Sequence, residues 1–176
     1  MAQIILDSNT FQDAVKSISK KIFNDNRNIS DFAVVGIQSK GVFLAKRIIA
    51  EIAKLSGVKE SEILFGTLDI TLHRDDLDNF ESDIPIIKDT IIPFDLNGKD
   101  IILIDDVLYT GRTVRAALDV ITDFGRPKSI QLAILVDRGF RELPIEAKYV
   151  GVKYESKKFI KVDCKESDGE DKVFVN

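Results

Sequence analysis

Residues 101–113 read IILIDDVLYTGRT. An apolar run that meets a turn signal predicts a buried strand over Ile101–Ile104. Asp105 and Asp106 then fall at its C-terminal end, and Tyr109, Thr110, Gly111, Arg112 and Thr113 form a turn. Val114, Ala117, Leu118 and Ile121 follow at helical spacing. Ionised carboxylates only accept hydrogen bonds, so this pair suits the hydroxyls of a sugar diol. A loop of backbone N–H groups and hydroxyls at a helix N-terminus is an anion site favoured by the helix dipole. Gly111 permits a tight turn and close approach to a ligand. Open α/β sheets bind ligands beyond the carboxyl ends of their strands, where this loop lies. An acidic pair alone would read as an ordinary strand-to-helix turn; the whole run points to a sugar phosphate.

Working outward, Asp7 or Ser8 caps a predicted first helix with Phe11, Val15, Ile18 and Ile22 on one face. Phe32–Ile37 is a continuous apolar strand, Gln38–Gly41 a turn, and Val42–Leu55 a helix stopped by Gly57. Ile63–Leu72 predicts a second strand, and Ile130–Val136 a fourth after Gly125-Arg126-Pro127 ends the preceding helix. Alternating strands and helices predict an α/β fold, a mostly parallel sheet covered on both faces. Between His73 and Gly98 the chain is polar, with Pro85, Pro93 and a short strand signal near Thr90–Pro93. Segments this long without periodicity are usually functional.

A chain of 176 residues, 44% hydrophobic and 31% charged, is expected to form one globular domain. With 25 basic and 29 acidic residues the net charge is −4, so nucleic-acid binding would need a local basic face. The single cysteine, Cys164, lies in a polar segment and cannot form an internal disulfide; a reducing cytoplasm is the expected setting. No apolar run reaches membrane-spanning length, and MAQIILDSNT lacks the features of a secretory signal, so no membrane association is expected.

The 101–113 run resembles the ribose-phosphate motif of type I phosphoribosyltransferases. Together with LDITLHRDDL (68–77), QLAILVDRGFRELP (131–144) and DDVLYTGRTVRAALD, it is similar to the PyrR family, over roughly residues 4–152. These are uracil phosphoribosyltransferases that also regulate pyrimidine operons through RNA. The resemblance implies the type I phosphoribosyltransferase fold in one domain over 1–176. It adds a small hood from about residue 137 onward and a flexible lid over about 73–98. It implies transfer of ribosyl phosphate from phosphoribosyl pyrophosphate (PRPP) to uracil, giving UMP and pyrophosphate, with Mg2+ as cofactor. Mg2+ uses few protein ligands, so no dedicated metal cluster is expected; it would act through PRPP near Asp105 and Asp106. The family also implies a homo-oligomer, dimer or tetramer.

Site residues follow by motif. Asp105 and Asp106 hold the ribose, and Tyr109–Thr113 the 5′-phosphate. Gln38, Ser39, Lys40 and Gly41 form the pyrophosphate loop, whose cis peptide would be Gln38–Ser39; relatives often carry Thr-Arg where this chain has Ser39-Lys40. His73, Arg74, Asp75 and Asp76 stand at the lid, where Arg74 would meet the leaving pyrophosphate. His73, the sole histidine, stands where the family has Tyr and is read as a contact residue. Val136, Asp137, Arg138 and Phe159 form the base hood, with Phe140 in place of the family's His. Phe159 is either a base platform, as in purine enzymes, or core on a terminal strand; the pattern slightly favours core. Purine enzymes carry a carboxylate where this chain has Tyr109, which speaks for a pyrimidine. Alternatives to uracil transfer are an RNA-binding sensor of UMP and PRPP, or transfer to another base. For RNA, Lys16, Lys20 and Arg141 are candidate contacts, with Lys21 nearby. Glu146 and Val152 replace basic residues of RNA-binding relatives, so RNA binding is expected to be reduced or lost.

Overall fold

Three apolar runs build the middle of the sheet, because a strand covered on both faces needs no alternation. They are β2 (Phe32–Ile37), β4 (Asp100–Leu108) and β5 (Ser129–Asp137) in the computed structural model, which describes residues 3–71 and 89–175. With β3 (Leu64–Leu68) and β6 (Tyr149–Lys153) they form a five-stranded sheet in the order β3-β2-β4-β5-β6. Every neighbouring pair is parallel, and Val35, Leu103 and Leu132 lie in one register row.

Helices cover both faces. α1 (Ser8–Asp25) and α2 (Lys40–Ser56) pack Ile18, Ile22, Ile48 and Ile52 against Val34, Ile102 and Ile104. α3 (Arg112–Phe124) packs Val114, Ala117 and Ile121 against Val35, Leu103 and Ile134 on the other face. Each fully buried Val, Leu or Ile side chain among these contributes about 1.5–3 kcal/mol. Asp7 caps α1: its carboxylate accepts from Thr10 N at 2.9 Å, and Thr10 Oγ1 accepts from Asp7 N at 2.9 Å. Gly57, left-handed at φ 76°, ends α2.

The structure departs from the expectations in four places. β4 runs through Asp105 and Asp106 to Leu108, because parallel pairing with β5 continues to Leu108↔Asp137. The acidic pair therefore lies inside the strand. The N-terminal stretch forms a strand, β1 (Gln3–Leu6), in a second, antiparallel sheet of order β1-β8-β7 with β7 (Ile160–Asp163) and β8 (Lys172–Val175). Cys164 opens the single turn α4 (Lys165–Asp168), is fully buried in the core, and has its thiol pushed up to about 12 by burial. Finally, part of the expected lid is anchored. Ile91 bridges Thr67 of β3 through two backbone hydrogen bonds of 2.8 and 2.9 Å, and Leu96 is buried.

Candidate active site

The carboxyl ends of β2 and β4 bring two helix N-termini beside the acidic pair. After β4, Gly111 at φ 94° turns the chain into α3, whose first-turn N–H groups have no intrahelical acceptors. A cavity of about 530 Å³ opens here, lined by Asp106, Tyr109–Val114, Arg138 and Phe159 among others. Of the acidic pair, only Asp106 lines it. Asp105 is buried, and its Oδ1 accepts from Asp106 N at 2.9 Å; Asp106 Oδ1 in turn accepts from Val107 N at 2.8 Å. Burial raises the Asp106 carboxyl above its ordinary value, against the pull of those hydrogen bonds and of Lys40.

After β2, the Gln38–Ser39 peptide is cis, as expected, and α2 begins at Lys40. Gly41 is pressed onto β4: a Cβ there would lie 2.4 Å from the carbonyl oxygen of Ile104 and 3.2 Å from Asp105 Cα. That contact holds the second loop beside the acidic pair. Lys40 is not directed only at the loop. Its Nζ is ion-paired with Asp168 Oδ2 and donates to Ser167 Oγ at 2.7 Å.

The hood residues are bound to the loop after β4 by a dense network. The Arg138 guanidinium lies 3.8 Å from the Tyr109 ring centroid and donates to the carbonyls of Ser156 (2.8 Å) and Lys157 (2.6 Å). Glu142 N and Leu143 N donate to Thr110 O, and Arg112 Nε donates to Glu142 Oε2 at 2.8 Å. Arg141, a candidate RNA contact, ties this turn together. It donates to Asp137 Oδ1 at 2.6 Å, Tyr109 O at 2.9 Å and Ile145 O at 3.0 Å, so most of its donors already have partners. Asp137 also accepts from Gly139 N at 3.0 Å. Phe140 adopts φ 55°, a left-handed conformation uncommon outside glycine, and its ring meets Tyr109 edge-on at 6.5 Å. Val136 is buried beneath this layer.

Phe159 corrects the preference for core: it is 62% exposed and lines the cavity, while its neighbour Ile160 is the buried member. A strand that begins at Ile160 faces alternate ways, and β7 buries Ile160 and Val162. Lys16 and Lys20 are exposed one turn apart on α1. His73, Arg74, Asp75 and Asp76 lie outside the described residues. The contacts of Ser167 and Asp168 with Lys40 have no signature in the sequence, since a polar tail carries no periodic signal. A second groove of about 600 Å³, lined by Lys16, Arg47 and Glu166 among others, shares no residue with this cavity.

No group of three or more His, Cys, Asp or Glu fit to hold a metal exists among the described residues. No helix there is long and apolar enough to cross a membrane.

Residues 1–167 match the phosphoribosyl transferase domain. The chain is 70% identical to a bifunctional protein PyrR of Endomicrobium trichonymphae, over 98% of both chains. It is 46% identical to one of Bacillus cereus (strain B4264), over 98% of this chain and 96% of the relative. Among solved structures, a hypoxanthine-guanine phosphoribosyltransferase of Bacillus anthracis superposes with TM-score 0.71 at 18% identity, covering 98% of this chain and 96% of that one. A hypoxanthine phosphoribosyltransferase of Trypanosoma cruzi superposes with TM-score 0.70 at 15% identity, covering 98% and 94%. Those two likenesses show the fold.

Proposed function

The chain belongs to the phosphoribosyltransferase family and, within it, to the PyrR proteins, and from that premise we propose how its site works. It transfers ribosyl phosphate from PRPP to N1 of uracil, releasing pyrophosphate and giving UMP. The observation that carries this reading is the meeting of two helix N-termini at one acidic pair, with Gly41 packed directly against Asp105. Each N-terminus receives one phosphate group: Tyr109–Thr113 the 5′-phosphate, Gln38–Gly41 the pyrophosphate. The acidic pair lies between them, where the ribose hydroxyls would be.

In the transition state the C1′–oxygen bond to pyrophosphate breaks as the C1′–N1 bond forms, the N1 proton is lost to solvent, and positive charge builds on the ribose. Asp106 faces that charge across the cavity, and Asp105 fixes its backbone. Desolvation disfavours a lone charge on Asp106, so a cation beside it would be stabilising, and Asp105 and Asp106 are the residues near which Mg2+ would be held with PRPP. When bound, Mg2+ supplies charge neutralisation to the leaving pyrophosphate. The base lies under Arg138, Tyr109 and Phe159, within the hood. The hood is the C-terminal part of a single domain, about residues 137–176, with β1 added to its small sheet, and the lid is about residues 73–98, with His73, Arg74, Asp75 and Asp76 at its base.

Assay of product formation from PRPP, Mg2+ and a panel of bases tests this. UMP formation from uracil alone is expected; turnover of hypoxanthine or guanine in preference would overturn it. The resemblance to the PyrR family also implies regulation through RNA. Arg141 is engaged internally and Glu146 is exposed, so we place any RNA contact on Lys16 and Lys20 and expect weak binding. Tight, salt-sensitive gel shifts that weaken on Arg141→Ala would contradict this.

A further inference from the structure

Residues 165–171 read KESDGED, and they fold into an acidic turn against α2. Cys164 N (2.8 Å) and Ser167 Oγ (2.7 Å) both donate to Asp168 Oδ2, so the carboxylate is fixed by its own turn. The turn is then clamped to α2 by a second contact. Arg47 lies two helical turns beyond Lys40 on the same stripe. It donates to Glu166 at 2.8 and 2.5 Å and to Asp171 at 2.9 and 2.7 Å. Lys165 N also donates to Asp171 Oδ1 at 2.9 Å. Glu166 and Asp171 both hold their charge below the ordinary carboxylate range, Glu166 through its hydrogen bond to Arg47 and Asp171 against its own burial. The clamp does not involve Lys40, so it keeps Asp168 in place whatever Lys40 is doing.

Lys40 is therefore the one basic side chain of the Gln38–Gly41 loop, and its ammonium is shared with a fixed anion from the C-terminal turn. A ligand anion arriving at that loop meets a neutralised pair. We propose that Asp168 sets the affinity for PRPP and pyrophosphate by competing with the ligand for Lys40. This rests on the assignment of Gln38–Gly41 as the pyrophosphate loop. Asp168 touches no reacting atom; it acts through Lys40 alone. The competition weakens substrate binding, and it speeds release of the pyrophosphate product, because Asp168 reclaims the ammonium.

The test uses the full chain with Asp168→Asn, Lys40→Gln and the double variant. It measures KM for PRPP, product inhibition by pyrophosphate, and UMP binding by titration. Asp168→Asn should lower the PRPP KM and the pyrophosphate inhibition constant about three- to fivefold, the scale of a partly exposed ion pair. The gain should shrink at high salt. UMP binding should be unchanged, since UMP carries no pyrophosphate. In the Lys40→Gln background Asp168→Asn should have no effect. Asp168→Glu, which keeps the charge, should hold the KM within about twofold. Should the asparagine variant not fold, Asp168→Ser also removes the charge. An unchanged or raised KM in a folded variant, or a gain that persists without Lys40, overturns the proposal. If the unsubstituted protein bound neither PRPP nor UMP, the functional reading itself would fall; intact binding with no response to Asp168→Asn removes only the competition.

Discussion

The loops after β4 and after β2 both enter a helix through glycine, yet for different physical reasons. Gly111 is required by its backbone: φ is 94°, while an added Cβ would meet nothing nearer than 3.4 Å. Gly41 is required by its neighbour: a Cβ would lie 2.4 Å from the Ile104 carbonyl oxygen. One glycine shapes its own loop; the other sets the distance between α2 and β4. Their cations differ as well. Arg112 pairs with Glu142 at the surface, with both side chains about half exposed (46% and 52%), whereas Lys40 is held by a turn clamped at a second point. The first loop is braced by a turn some 30 residues further on, and the second depends on a segment 128 residues away.

Four variants break or sharpen this contrast. The acidic pair serves both loops, so Asp105→Asn with Asp106→Asn should lower turnover on the order of 10³-fold while circular dichroism stays native; retained activity would sink the site. Gly41→Ala should cost about 2–3 kcal/mol in urea unfolding, because α2 must move off β4, and it should raise the PRPP KM. Gly111→Ala should cost about 1–2 kcal/mol from its left-handed backbone and should weaken UMP first; equal effects of both on UMP would erase the distinction. Between them in size, Arg138→Ala removes a buried guanidinium that holds the carbonyls of Ser156 and Lys157, for about 2 kcal/mol. Its thermal denaturation should be lowered at every pH.

The smallest effects have opposite signs with pH. Asp106 is raised above 3.8 by burial, so the folded state binds its proton more tightly than the unfolded chain. Its stability contribution is present at low pH and lost as pH rises from 3.8 through the folded value. Asp106→Asn should therefore raise the melting temperature at pH 7, with little change at pH 3. Asp168 is lowered from 3.8, chiefly by Lys40, so its contribution is present above 3.8 and lost as pH falls through the folded value. Asp168→Asn should cost about 0.5–1 kcal/mol at pH 7 and converge with the parent in acid. Parallel melting profiles for the two variants would contradict both assignments.

The central sheet was legible because burial on both faces leaves uninterrupted apolar runs, as in Phe32–Ile37. The loop after β4 was legible because its residue types are local and contiguous. What escaped depends on distant pairing. β1 is short, and its partner β8 begins at Lys172, so neither declares itself alone. The extent of β4 was underread because an acidic pair looks like a strand's end, while pairing with β5 carries it onward. Phe159 was weighed as core because one aromatic beside buried residues does not reveal which way it faces. Cys164 joins the core although Lys165 beside it is exposed, so the polar segment hides its burial.

The pairing of Gln3 with Val175 also orders events in time. β1 is synthesised before the parallel sheet and β8 after it. The large sheet can assemble as the chain emerges, each strand finding a neighbour already present or soon to follow. The small sheet cannot close until β8 is out, and closure across so long a span carries a loop-entropy cost. A ribosome-bound chain thus holds both anion loops before it holds the acidic turn that restrains one of them.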